Sequence, residues 1–372
     1  MIKQIQIKNF KSHIDTTVDM APLTLLTGLN GMGKSSVIQA LLLLRQSSNV
    51  FHMGLMLNGN LCKIGSAQDA ISTNSEDDFI DFAISFDDDR LHMRYKIDSN
   101  QQDSDLLKPI RNPEGAPFNR YSNLLFNSRF QYISVQRNLF VHKPLNTTYN
   151  VQILNQISGE EGRAEYVEPY ILKHGNYKIA IPALKHPQCD DLSLKAQIEA
   201  WLREFSPNIN LHIERVDANS YKTEYSFNRE DGRVTPRFKS ENVGFGITYD
   251  LPLLAVILNA CPGDLIIIEN PEAHIHPAGQ ASIIRLIAIA AEAGVQFILE
   301  THSDHIINGA LVSVKRKNIS HSNVSICYFD RDETRHASKV IPVEVKESGR
   351  IYKPPKGFFE QIKIDMEYIM GF

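Results

Sequence analysis

Eight residues constrain this chain more than any others: Gly28-Leu29-Asn30-Gly31-Met32-Gly33-Lys34-Ser35 satisfies the pattern G-x-x-x-x-G-K-[ST]. Glycines at those spacings let successive backbone N–H groups close around a phosphate, while the lysine reaches the outer phosphates and the hydroxyl holds magnesium. Such a loop needs a buried strand before it and a helix after it. Leu23-Thr24-Leu25-Leu26-Thr27 is an apolar run too short for a helix, and Ser36 to Arg45 is dense in helix formers and apolar nearly all round. The order strand, loop, interior helix is therefore expected, with Asn30, Gly31, Met32, Gly33, Lys34, Ser35 and Ser36 lining a nucleotide site.

A triphosphate also requires a carboxylate for its magnesium, at the end of a buried strand near the loop. Leu265-Ile266-Ile267-Ile268 runs into Glu269, and Val295-Gln296-Phe297-Ile298-Leu299 runs into Glu300, with helix-forming composition from Gly279 to Ala293 between them. Strand, crossover helix and strand of these lengths predict a parallel sheet whose functional ends are the strand C-termini. Glu269 is the candidate magnesium carboxylate. The turn after it, Asn270-Pro271-Glu272-Ala273-His274-Ile275-His276-Pro277, carries Glu272, His274 and His276, but no second group with ligand spacing follows, which argues against zinc.

The chain opens with Ile5 and Ile7 alternating against Gln4, Gln6 and Lys8, which predicts an edge-type strand over residues 2–10. From about Asn58 to Glu241 acidic and polar clusters punctuate short strand-like runs, and the spacing of Leu194, Ile198, Trp201, Leu202 and Phe205 adds a helix. The expected division is an α/β head from residues 1–57 and 242–345 with a mixed, largely parallel sheet, an inserted α+β lobe at 58–241, and a helical tail at 346–372 packed on the head. A chain of 372 residues with 42% hydrophobic content buries enough core to need no disulfide or structural metal. The 39 basic and 43 acidic residues leave a net charge of -4, giving no global support for nucleic-acid or membrane binding. Four scattered cysteines without a C-x-x-C pair read as free thiols, and the longest apolar stretch, Leu251 to Cys261, is too short to cross a bilayer. A soluble, cytoplasmic protein is expected.

In sequence order, IKQIQIKNFKSH at the start, the phosphate loop at 28–35 (Walker A), LIIIENPEAHIHP at 265–277 (Walker B) and FILETHSDHII at 297–307 resemble the ATP-binding-cassette superfamily. The resemblance is to its soluble branch, which contains the SMC, RecF-like and OLD-like ATPases. Residues 240–248 resemble the degenerate signature loop of that branch, and SGRIYKPPKGFFEQ resembles the short C-terminal region of a bacterial group of these AAA-family ATPases. The resemblance is weakest in the middle of the chain. It implies a P-loop NTPase fold binding ATP and Mg2+, with two heads sandwiching the nucleotide as a homodimer. Ser240, Asn242, Gly244 and Gly246 would then face a partner's γ-phosphate, His302 would sense that phosphate, and Gln136 would be the Q-loop glutamine serving Mg2+ and water.

One departure bears on chemistry. Relatives close Walker B with an acidic pair, the second member polarising the attacking water, whereas here Asn270 follows Glu269, and an amide accepts no proton. Three outcomes fit that change: Glu272 acts as the base, the register shifts so that Glu269 does, or turnover is slow. The resemblance points to an ATP-driven switch acting on a separate effector such as a nuclease or toxin, in bacterial antiviral defence. The alternative is a RecF-like ATPase acting directly on nucleic acid, for which Lys315-Arg316-Lys317 is the one local basic cluster singled out.

Overall fold

The structure, a computed structural model, describes residues 1–98, 102–110, 124–137, 147–217, 220–355, 357–359 and 361–370. Its centre is a seven-stranded sheet built from β3 (Leu23–Gly28), β8 (Phe130–Ile133), β12 (Leu265–Glu269), β13 (Gln296–Glu300), β14 (Val324–Asp332), β15 (Ala337–Val345) and β16 (Ile351–Tyr352). The order is β16-β15-β14-β3-β13-β12-β8, the five strands from β14 to β8 running parallel. The phosphate-loop strand β3 thus lies between β13 and β14, with the strand ending in Glu269 one place further out. A second, six-stranded antiparallel sheet has the order β2-β1-β5-β6-β7-β4, from β1 (Ile2–Phe10), β2 (His13–Asp19), β4 (Leu55–Met56), β5 (Phe79–Phe86), β6 (Arg90–Lys96) and β7 (Leu106–Pro109). A third, small sheet joins β9 (Ile209–Arg215), β10 (Tyr221–Phe227) and β11 (Phe238–Lys239).

The period of two along the strands explains why the central sheet has a core on each face. Leu26, Ile267, Ile298, Cys327 and Phe329 point into the core shared with α1 (Lys34–Ser47) and the antiparallel sheet. Their strand neighbours Leu25, Ile266, Ile268, Phe297, Leu299 and Ile326 point the other way. That second core also contains the apolar faces of α3 (Val167–His174), α4 (Leu194–Phe205), α5 (Phe245–Leu258), α6 (Pro277–Glu292) and α7 (Asp304–Lys315). α1 is buried nearly all round, as its composition predicts. Among the described residues the other α-helices are the one-turn α2 (Ala67–Ala70) and α8 (Gln361–Met370).

The domain boundaries differ from the sequence expectation. β1 is no edge strand: it pairs with β2 on one side and β5 on the other. Residues 79–109, assigned above to an inserted lobe, complete the antiparallel sheet, and β8 pairs with β12 in the central one. Edge backbone groups demand partners, and these strands supply them. Among the described residues, the material outside both large sheets within the 58–241 range is chiefly α3, α4 and β9 to β11. The tail is also not purely helical, since β16 pairs with β15. Phe358 packs edge-on against the Tyr328 ring with centroids 5.6 Å apart, whereas Asp365 to Met370 of α8 are exposed. All four cysteines are free thiols. Among the described residues no helix is long and apolar enough to cross a membrane.

One buried side chain joins the two large sheets. Gln296 of β13 donates to the backbone oxygens of Ile2 (2.7 Å) and Ala21 (3.3 Å) and accepts from the Ile2 N–H (2.8 Å). Replacing it by leucine strands those buried groups, so Gln296→Leu should lower the unfolding free energy by about 2–4 kcal/mol. Chemical denaturation checks this, and an unchanged midpoint would show that the junction tolerates the loss.

Candidate nucleotide site

The loop between β3 and α1 turns through positive φ at Gly28 (132°), Gly31 (75°) and Gly33 (97°). At Gly28 a side chain would strike the Phe329 carbonyl of β14, and at Gly33 it would strike the Ser338 and Ser12 hydroxyls and the His13 ring, so bare backbone is required at both points. The same neighbours hold the loop's outer wall. Ser338 Oγ donates to Met32 O (2.8 Å), His13 Nε2–H donates to Gly33 O (2.9 Å), and Arg331 Nη2 donates to Gly31 O (2.7 Å). Burial drives the His13 pKa down to about 4, so the ring is neutral, with Nδ1 paired to Thr16 Oγ1 at 3.0 Å.

Lys34 begins α1, whose first turn carries no acidic residue, leaving the positive end of the helix uncompensated. Its ammonium donates to the loop's own carbonyls, Leu29 O at 2.7 Å and Gly28 O at 3.1 Å. Burial lowers its pKa and the nearby Glu300 raises it. Ser35 Oγ donates to Glu300 Oε1 at 2.8 Å. This is a contact that sequence reading missed, although Glu300 ends an apolar run just as Glu269 does. Glu269 and Glu300 are register partners on β12 and β13, which sets the two carboxyls side by side. Burial first, then the charge of Glu300, pushes Glu269 up to about 7, against the stabilising Tyr132 hydroxyl at 3.1 Å. Burial likewise raises Glu300, eased by Ser35 and Lys34.

Glu272 is held at the mouth of this site. The Thr301 hydroxyl donates to its Oε2 (2.9 Å) and the His302 N–H to its Oε1 (2.8 Å). Asn270 adopts φ 45°, and its N–H donates to Glu300 O at 2.8 Å, so the turn is stitched to β13. The exposed His302 ring bonds the Gly28 carbonyl, while burial and then Lys34 lower its pKa. Gln136 lies exposed three residues past β8. The next residue, unnoticed in the sequence, is the largest fully buried side chain: Arg137, 1% exposed, donates to Ser134 O (3.2 Å), Glu269 O (3.0 Å) and Asn270 O (2.9 Å). An arginine beside a loop glutamine carries no sequence signal for such burial.

The structure therefore brings Lys34, Ser35, Glu269, Glu272 and His302 together, while the candidate signature residues lie elsewhere. Ser240 Oγ donates to Thr223 O at 2.9 Å, Asn242 and Gly244 are exposed, and Gly244 caps α5. Gly246 follows in the first turn, where a Cβ would crowd the His274 carbonyl at 2.8 Å. The cavity beside Asn242, Gly244 and Gly246 contains none of residues 28–35. His276 caps α6 through Nδ1 (3.3 Å to Ala278 N).

Among the described residues no three His, Cys, Asp or Glu side chains form a metal cluster of their own. A hydroxyl beside buried carboxylates suits a hard cation that keeps water and phosphate oxygens as its remaining ligands, which is how magnesium is held. Lys34 and the bare α1 N-terminus suit the phosphates themselves, so the residues fit Mg-ATP.

A parallel sheet carrying a glycine loop at the N-terminus of a buried helix, with acidic strand ends beside it, defines a P-loop ATPase. Residues 23–308 match the family described as "AAA domain, putative AbiEii toxin, Type IV TA system", and the chain belongs to it. Residues 319–369 match a protein family of unknown function, DUF3696. The fold is that of SMC ATPase heads. The SmcHead crystallised with the C-winged helix domain of ScpA is similar at 15% identity and TM-score 0.53, over 93% of this chain and 98% of that one. The Smc head with an extended coiled coil, bound to the C-terminal domain of ScpA derived from Pyrococcus furiosus, is similar at 13% identity and TM-score 0.50, over 99% of each chain. No curated protein matches.

The acid pair makes a pH-dependent prediction. Glu269 ionises near 4.5 when unfolded and near 7 when folded, so the native state loses stability as pH rises through that window. Glu269→Gln should stabilise the nucleotide-free protein at pH 8, by no more than ~3.5 kcal/mol at about 1.4 kcal/mol per unit. Thermal unfolding at several pH values should show the gain fading to nothing below about pH 4.5; an equal gain at every pH would refute the assigned cause.

Proposed function

We propose that this ATPase is a molecular switch: ATP pairs two heads, hydrolysis releases them, and the change controls a separate effector protein. The observation that carries the reading is the split of functional groups within one chain. Lys34, Ser35 and the carboxylates lie at the phosphate loop, whereas Asn242, Gly244 and Gly246 line a cavity at the approach to α5 that includes no part of that loop, with Ser240 just before them in the chain. Such halves complete each other when two copies meet, each loop facing the other's α5. Differential affinity of ATP for the paired state then shifts the population.

In this reading the N–H groups of residues 30–36, from Asn30, Gly31, Met32 and Gly33 to Ser36, together with Lys34, hold the phosphates. Ser35, Glu269 and Gln136 would hold magnesium, which supplies charge neutralisation at the phosphate oxygens. Glu300, already bonded to Ser35, joins that ligand environment. Glu272 is the base, because Thr301 and the His302 N–H fix its carboxylate while Asn270 accepts no proton. His302, on the Gly28 carbonyl, reports the outer phosphate to the loop. The similar SMC heads are titled as bound to domains of ScpA, which supports a protein partner here. The family's description as a toxin-linked AAA domain supports an effector in a toxin–antitoxin or antiviral setting.

Molecular mass in solution tests the pairing. Wild type should dimerise with ATP and magnesium and Lys34→Ala should not; a wild type that stays monomeric contradicts the switch. Glu272→Gln should slow phosphate release by about 10²-fold or more while leaving the ATP-bound pair intact, whereas undiminished turnover would remove Glu272 from the role.

A further inference from the structure

A cavity of about 580 Å³ opens beside the α5 N-terminus, between α4, the small sheet and α6. Its walls include the rings of Phe205, Phe227 and Phe238 and the side chain of Ile247. Phe227 and Phe238 face each other with centroids 6.3 Å apart, and Phe238 remains 38% exposed. Asp250 also lines it, 2% exposed, with Oδ1 buried and lacking any hydrogen-bond partner. Glu204 adds a second carboxylate to the lining, and no lysine or arginine belongs to it.

Arg137 is the one cation felt by Asp250, yet no ion pair or hydrogen bond joins the two. The two Nη atoms of Arg137 donate to the Ser134, Glu269 and Asn270 carbonyls, and its buried Nε makes no hydrogen bond. A buried carboxylate oxygen left without a donor is unfavourable unless something satisfies it. Burial accordingly raises Asp250 to about 8.

We propose that this cavity is a binding site for a small organic ammonium, its charged nitrogen donating to Asp250 and its apolar body lying among Phe205, Phe227 and Phe238. The volume falls in the range of small-molecule sites. Aromatic faces together with a carboxylate form the environment that recognises organic cations. Asn242, Val243 and Gly244 belong to the same lining, so occupancy bears on the loop assigned above to a partner's phosphate. That consequence rests on the proposed switch; the binding itself does not.

Phenethylammonium is the probe, with 2-phenylethanol as its neutral counterpart, titrated calorimetrically and by saturation-transfer NMR into the nucleotide-free full chain. The amine should bind saturably and the alcohol about tenfold or more weakly. Asp250→Asn should reduce amine binding by at least about tenfold. Phe238→Ala, on an exposed two-residue strand and so tolerated by the fold, should also weaken it. Lys34→Ala should bind the amine as wild type does, which separates a failure here from a failure of ATP-dependent pairing. No saturable binding, equal binding of amine and alcohol, or undiminished binding to both Asp250→Asn and Phe238→Ala would each overturn the site.

Discussion

Two carboxylates forced to stand together on neighbouring parallel strands govern the chemistry of this molecule. Parallel register aligns Glu269 with Glu300, and burial against the hydrophobic strands raises the proton affinity of both, with the charge of Glu300 adding to the effect at Glu269 and that of Glu272 at Glu300. The charges that relieve this strain are Lys34 and the helix start beside it, with Ser35 donating a hydrogen bond. A site arranged this way is anionic on one wall and cationic on the other. It is suited to a ligand that brings both signs, and a metal-bound polyphosphate does so.

The surroundings of the phosphate loop explain why three segments far apart in sequence must fold together. Ser12 and His13 come from the turn into β2, Ser338 from β15 and Arg331 from β14, yet all close on residues 31–33. Gly28 lies against the Phe329 backbone, so β14 cannot approach β3 unless that position lacks a side chain. The loop is therefore shaped by both large sheets, and Gln296 links those sheets at the opposite end of β1.

Much of this was legible in the residues, and the rest was hidden for identifiable reasons. The phosphate loop, its strand and helix, β12, β13 and the helix at 194–205 follow from glycine spacing and apolar periodicity, both local properties. What the sequence left out is long-range pairing. The alternation in residues 2–10 gives a strand but not its second neighbour, and the acidic hairpin at 87–89 looks like part of a separate lobe although its strands extend the antiparallel sheet. Glu300 was visible as a strand end, but its bond to Ser35 depends on β13 lying between β3 and β12, an order that no run of residues encodes. Arg137 was hidden because its burial is enforced by backbone carbonyls, which carry no side-chain signature.

A triphosphate should enter this acid-flanked loop only together with its metal. Calorimetric titration of ATP into the nucleotide-free chain at pH 8, with magnesium and then with a chelator in its place, tests this directly. Electrostatic repulsion from Glu269 and Glu300 predicts an affinity at least about tenfold higher with magnesium. Equal affinity with and without the metal, or no ATP binding at all, would contradict the account.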